Sequence, residues 1–118
     1  MDERGKRLVE QLIEKTAQGK IAWSTAFEDG QFKTILPEGR LAFVVQVKGD
    51  VHRFRVLDEQ QETVLDESVT KADTENEPPT HPRMLLYFSI GKLQELARNQ
   101  ALQVNEKLDK AEKILAAI

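Results

Sequence analysis

The 118-residue sequence predicts an α+β fold: an antiparallel meander of about five strands, with an N-terminal helix before it and a long or bipartite C-terminal helix after it. Three observations predict this. Apolar residues step by three and four near the start, alternate with polar residues through the middle, and step by three and four again to the end. Clusters of Gly, Pro, Asp and Asn-like turn formers cut the middle into short pieces at regular spacing, as in a meander. No repeat or low-complexity tract interrupts the order, so the chain reads as one domain over residues 1–118.

Residues 4–18 read as the first helix. Leu8, Val9, Leu12, Ile13 and Thr16 share one face. Asp2 and Glu3 suit its positive end and Lys15 its negative end. Gly19 follows as a residue able to take the positive φ that often ends a helix.

The sheet is expected over residues 21–69. Ile21, Trp23, Thr25 and Phe27 alternate with smaller or polar residues. Glu28-Asp29-Gly30-Gln31 is a turn, and Phe32, Thr34 and Leu36 then alternate with Gln31, Lys33 and Ile35. After Pro37-Glu38-Gly39, one face carries Leu41, Phe43, Val45 and Val47, and the other Arg40, Ala42, Val44 and Gln46. Lys48-Gly49-Asp50 turns the chain into a strand with Phe54 and Val56 opposite Arg53 and Arg55. Asp58 to Gln61 leads into a last strand from Thr63 to Val69. The expected inner face holds Ile21, Trp23, Phe27, Phe32, Leu36, Leu41, Phe43, Val45, Phe54 and Val56. Leu8, Leu12, Leu86, Ile90 and Leu93 are expected to pack across it.

Residues 70–82 are polar and hold Pro78, Pro79 and Pro82, so they read as a loop. Residues 83–118 are helical in pattern. Leu86, Ile90, Leu93, Ala97, Ala101, Val104, Leu108, Ala111, Leu115 and Ile118 step by 4, 3, 4, 4, 3, 4, 3, 4 and 3, close to a heptad stripe. Glu106 with Lys110 and Asp109 with Lys113 add favourable pairs, whereas Gly91 weakens the helix by about 1 kcal/mol relative to Ala.

Length turns this helix into a functional clue. A straight helix of this size is about 50 Å long, against a compact domain diameter of roughly 35 Å. It must break or overhang. Asn105 offers an N-cap for a break, without a capping box because Leu108 stands three residues on. An overhang would leave Leu108, Ala111, Leu115 and Ile118 needing cover from another chain. The alternative is a terminal segment folded back on its own sheet.

Composition excludes several functions. There is no Cys, hence no disulfide framework and no thiolate metal site. Apolar residues at 40% suffice for a core despite 31% charged residues. No apolar run is long enough for a transmembrane helix, and Met-Asp-Glu-Arg-Gly-Lys-Arg is not followed by the apolar stretch of a signal peptide. A cytoplasmic protein, with no role at a membrane, is the expectation.

Catalytic signals are thin. His52 opens a strand beside Phe54 and Val56, and His81 lies between Thr80 and Pro82, with no metal-ligand spacing between them. Either Thr80 or His81 can bound the final helix. Ser24, Ser68 and Ser89 stand in no nucleophile motif. Gly19-Lys20 is followed by Ile21 and runs from helix to strand, the reverse of a phosphate loop. No catalytic residue, cofactor or metal is therefore assigned.

Charge is unevenly distributed. Residues 58–77 hold eight acids against Lys71, a local −7, which leaves the remainder at +4 within a net −3. A calcium loop pattern is absent from that acidic stretch. Arg40, Arg53 and Arg55, with Lys48 nearby, predict a basic sheet face opposite Phe43 and Phe54. Such a face could meet an acidic partner, nucleic acid or the chain's own acidic segment. Nucleic acid is disfavoured because no aromatic residue interleaves these bases.

Leu12-Ile13-Glu14-Lys15-Thr16, Gly19-Lys20-Ile21, Trp23, Phe32 and Leu36 resemble the opening of a group of short uncharacterised bacterial α+β proteins. Leu93, Leu96-Ala97-Arg98, Ala101-Leu102 and Val104-Asn105-Glu106-Lys107-Leu108 resemble that group's closing helices. The resemblance spans most of the chain apart from residues 70–82, and implies a helix followed by a small antiparallel sheet. It implies no activity, cofactor or catalytic residue. Asn105 stands where an acidic cap is expected in relatives.

Together these features predict a non-enzymatic protein-interaction or adaptor module that self-associates, as a homodimer, through its C-terminal helix. The alternative is a small-ligand binder or enzyme with a pocket near Trp23 and His52. Nucleic-acid binding by the basic face is the third reading.

Overall fold

The computed structural model describes residues 2–26, 28–36, 40–75, 77–78 and 80–118. Phe27 and the Pro37-Glu38-Gly39 turn lie outside the described residues. The chain runs α1 (Asp2–Ala17), β1 (Ser24–Thr25), β2 (Gln31–Leu36), β3 (Leu41–Lys48), β4 (Val51–Leu57), β5 (Thr63–Thr70), α2 (Lys71–Thr74) and α3 (Pro82–Ala117). The five strands form one antiparallel sheet in sequence order. This is the expected meander with its flanking helices.

Both α1 and α3 pack on one face of the sheet. Alternation aims Phe32, Phe43, Val45, Phe54 and Val56 at them, with Leu36 and Leu41 half-buried beside this core. Val9 and Leu12 of α1 meet the buried stripe of α3: Leu86, Ile90, Leu93, Ala97 and Ala101. Turn chemistry sets the registers. Gly49 takes φ 60° in the two-residue link between Lys48 and Val51. Gly30 takes φ 72°, and a Cβ there would lie 2.4 Å from the Val47 carbonyl oxygen, so only Gly fits.

Three expectations need correction. First, the opening strand is only two residues of ladder, not Ile21 onward. Ile21 and Trp23 are buried as expected, but their backbone bonds to a helix. The Trp23 N–H donates to Gln100 Oε1 at 2.5 Å, and Gln100 Nε2 donates to the Ile21 carbonyl at 2.8 Å. The Ala22 carbonyl accepts from Thr34 Oγ1 at 2.7 Å. Second, Arg40 is not part of β3, which starts at Leu41. It takes φ 54° in the turn before the strand and pairs with Glu59 at 3.4 Å.

Third, the polar stretch expected as a loop contains α2. Thr70 Oγ1 accepts from the Asp73 N–H, and the Asp73 carboxylate accepts from the Thr70 N–H, a reciprocal capping box. Of the alternatives that the sequence left open, the long helix is the one found: α3 is unbroken at Asn105 and overhangs. It starts where the sequence allowed: His81 caps it, its Nδ1 accepting from the Arg83 N–H at 3.2 Å, with Pro82 at the first position.

Candidate functional site

Two surfaces stand out: the free half of α3 and the open face of the sheet. At 1.5 Å per residue the 36 residues of α3 span about 54 Å, and the molecule measures 59 × 31 × 26 Å. The last buried residue of the helix is Ala101, and every residue from Leu102 onward is exposed. On this stretch Val104 is 47% exposed, Leu108 57%, Leu115 71% and Ile118 96%, with Ala111 between them and Ile114 on the flank. The structure therefore brings together the four residues singled out in the sequence, Leu108, Ala111, Leu115 and Ile118. Val104 and Ile114 extend their patch. Most helical stability comes from packing an apolar face, and this half has no such packing among the described residues.

The direction of this patch follows from the helix period. At about 100° per residue, the ten stripe residues from Leu86 to Ile118 fall within an arc of about 100°. The free half thus presents its apolar side in the same direction as the buried half, past the edge of the sheet.

On the open face, cross-strand register sets Gln31, Gln46, Arg53 and Ser68 in one row, and Lys33, Val44, Arg55 and Asp66 in the next. Arg53 and Arg55 both lie here, as expected, and Arg40, in the turn before β3, borders the far end of the same face beside Lys33, Ile35, Ala42 and Leu57. Arg53 grips Asp66 with two bonds, Nε to Oδ1 at 3.0 Å and a terminal nitrogen to Oδ2 at 2.7 Å. This fork hydrogen bond to the Arg53 guanidinium holds the Asp66 carboxyl below the usual carboxylate range and raises the Arg53 pKa. Arg55 is the register partner of Asp66 and its charge adds to the same effect. The acidic segment thus supplies, as β5, the counter-charge of the basic strand β4. Above these rows lies a shallow hollow of about 490 Å³ lined by Glu28, Gln46, Lys48, Arg53, Asp66 and Ser68. Gln46 Nε2 donates to the Glu28 carboxylate at 2.8 Å across it. Among the described residues in these two rows no aromatic ring is available to stack on a base.

Trp23 and His52 do not share a pocket. Trp23 is buried against α3 at Gln100 and against α1, where its Nε1–H donates to Thr16 Oγ1 at 2.9 Å. His52 meets α3 at Tyr87, thirteen residues earlier or about 20 Å along the axis. Its ring stacks on that of Tyr87 at 3.8 Å, and its Nδ1–H donates to the Tyr87 carbonyl at 2.7 Å. The main concavities among the described residues are lined by other side chains. Nor does any group of three or more His, Asp or Glu among the described residues stand ready to hold a metal ion. No helix among them is long and apolar enough to cross a membrane.

Sequence reasoning missed Gln100, which latches the segment before β1 to α3. A lone Gln carries no signal until its two backbone partners are known. Compared with known proteins, the chain matches no family model, no curated protein and no solved structure.

Proposed function

We propose that this protein is a non-enzymatic interaction module, an adaptor whose docking surface is the free half of α3. The observation that carries the proposal is the run of exposed Val104, Leu108, Leu115 and Ile118 on one side of a helix that leaves its domain. Such a stripe is satisfied by an apolar helix face laid along it. The two His support no competing catalytic reading: His52 is bonded to a helix carbonyl and His81 caps α3. A cytoplasmic location and kinship with the short bacterial α+β proteins that the sequence resembles belong to the same proposal. Its support is the shared order of helix, small antiparallel sheet and closing helix.

The test is retention from cell extract by immobilised protein, comparing the full chain with a chain ended after Val104. The proposal expects proteins, whether further copies of this chain or others, that the full chain retains and the shortened one does not. Identical retention by both would overturn it.

A further inference from the structure

Resting on the reading of the free half of α3 as a docking surface, we infer that its occupant is a second copy of this chain, laid antiparallel, with Val104 against Leu115 of the second copy and Leu108 against its Ala111.

The direction follows from where the body lies. The free apolar stripe faces the same way as Leu86, Ile90 and Leu93, which are covered by the sheet. A copy laid parallel would turn its own buried stripe toward the first helix. Both sheets would then have to occupy the space between two helices that must approach to 8–10 Å to pack. An antiparallel copy meets no such collision. Its helix lies beneath the overhang, and its sheet sits beyond the far end and on the opposite side.

The side chains agree with this direction. Ala101, Val104, Leu108, Ala111, Leu115 and Ile118 occupy alternate a and d positions of a heptad repeat. Antiparallel pairing about a dyad between Asp109 and Lys110 gives two kinds of layer, Val104 with Leu115 and Leu108 with Ala111, each repeated by symmetry. Every layer pairs a larger side chain with a smaller one, so the layers have even volume. A parallel pair would stack Leu on Leu at position 108 and Ala on Ala at position 111, an overfilled layer beside a void.

The flanks are compatible. Lys107 falls beside Ile114 of the second copy, where its aliphatic stem covers apolar surface, and Asn105 falls beside Glu112. No like charges oppose each other at these positions. A parallel pair would gain Lys107–Glu112 ion pairs, but exposed pairs contribute little and cannot offset a collision of two domains. Ile118 comes to lie where Ala101 of the second copy enters its core. The result is an elongated dimer whose open sheet faces point in opposite directions at its two ends, an arrangement suited to bridging two targets.

The absence of Cys from the sequence makes a clean test available. Val104→Cys and Leu115→Cys are made as separate full-length variants, each carrying a distinct tag. Both sites lie on the exposed half of α3, outside the core, and an unchanged far-UV signal confirms the fold. Under mild oxidation the mixture should form the mixed disulfide dimer, and each variant alone should not. Ile118→Cys alone should also fail to cross-link, since a dyad at the centre of the overlap puts its two copies about 25 Å apart. Light scattering of the unmodified chain should give twice the monomer mass.

Self-cross-linking of Leu115→Cys or Ile118→Cys in place of the mixed product overturns the antiparallel pairing. It would leave the docking role of α3 standing. A monomeric mass at every concentration overturns the second copy as occupant. The docking role itself is then decided by tail-dependent retention from extract.

Discussion

The imidazole of His52 occupies the space that a Cβ on Gly91 would need. A Cβ built at Gly91 lies 2.9 Å from His52 Cε1 and 3.3 Å from Nδ1. The ring is not free to step aside. It is stacked on Tyr87 and bonded through Nδ1–H to the Tyr87 carbonyl, four residues before Gly91 on the same helix. β4 is therefore docked against the bare backbone of α3, and the glycine that weakens the helix is what lets the strand approach.

Gly91→Ala should accordingly destabilise the protein. In an open helix the change stabilises by about 1 kcal/mol. Here displacing the ring removes a stacked pair and a hydrogen bond, each worth about 1 kcal/mol, and adds overpacking strain. A net loss of about 1–2 kcal/mol in urea unfolding is expected. In a His52→Ala background the same change should become neutral or stabilising, giving a coupling between the two sites. A stabilising Gly91→Ala in the otherwise unchanged chain would show that the ring moves without cost.

Gln100 should be as costly to lose as a large core residue. Its amide serves both the Trp23 N–H and the Ile21 carbonyl, in the segment just before β1 where both side chains are buried. Gln100→Leu leaves two backbone groups without partners, at about 1–3 kcal/mol each. Gln100→Glu keeps an acceptor for Trp23 but loses the donor for Ile21, so it should fall between the two. Trp23 is the only Trp, and its emission reports on the site directly. An unshifted Trp23 emission together with unchanged stability in Gln100→Leu would show that water replaces the side chain.

The contrast between these sites shows what was legible in the sequence. The period-two alternation from Phe32 to Val56 and the stripe from Leu86 to Ala101 translate directly into burial, because one side of each element faces the core. The length of α3 and its apolar stripe were legible too, but the choice between a break at Asn105, a fold-back and an overhang was not, because Asn105 is only a weak cap signal. Gln100, Gly91 and α2 were hidden for different reasons. Gln100 acts on backbone 77 and 79 residues away in sequence, and Gly91 meets a side chain 39 residues away, so no local pattern marks them. Thr70 and Asp73 do form a local capping signature, obscured by the polar run around them. Arg40 was read into β3 because the alternation of the strand was extended one residue into a turn that takes a positive φ.

The Arg53–Asp66 fork should add acid sensitivity but little stability. The Asp66 side chain is 36% exposed, and such pairs contribute about 0–1 kcal/mol. Its folded pKa lies below the unfolded value, so its contribution is present above the unfolded carboxylate range near 4 and is lost as pH falls through the folded value. Asp73, held low by the Thr70 N–H and hydroxyl, acts in the same direction. Arg53→Ala should therefore cost under about 1 kcal/mol at neutral pH and shrink the difference from the parent chain as pH drops below about 4. A loss that persists unchanged in acid would point to the packing of the Arg53 stem instead of its charge.

Ending the chain after Val104 should leave the domain intact while removing its association. The 14 residues removed include no buried side chain, because the core stripe of α3 ends at Ala101. The shortened protein should lose helical signal yet unfold within about 0.5 kcal/mol of the full-length monomer, the range of surface changes. A self-associating chain has a midpoint that rises with protein concentration, since mass action favours the assembled form. The full chain should show that rise, followed through Trp23 emission during heating, and the shortened chain should not. Leu108→Lys with Leu115→Lys in the full chain should behave like the truncation, because two charges in an apolar seam are costly to bury and cheap to expose. A midpoint independent of concentration in the full chain would mean that the exposed stripe stays uncovered in solution.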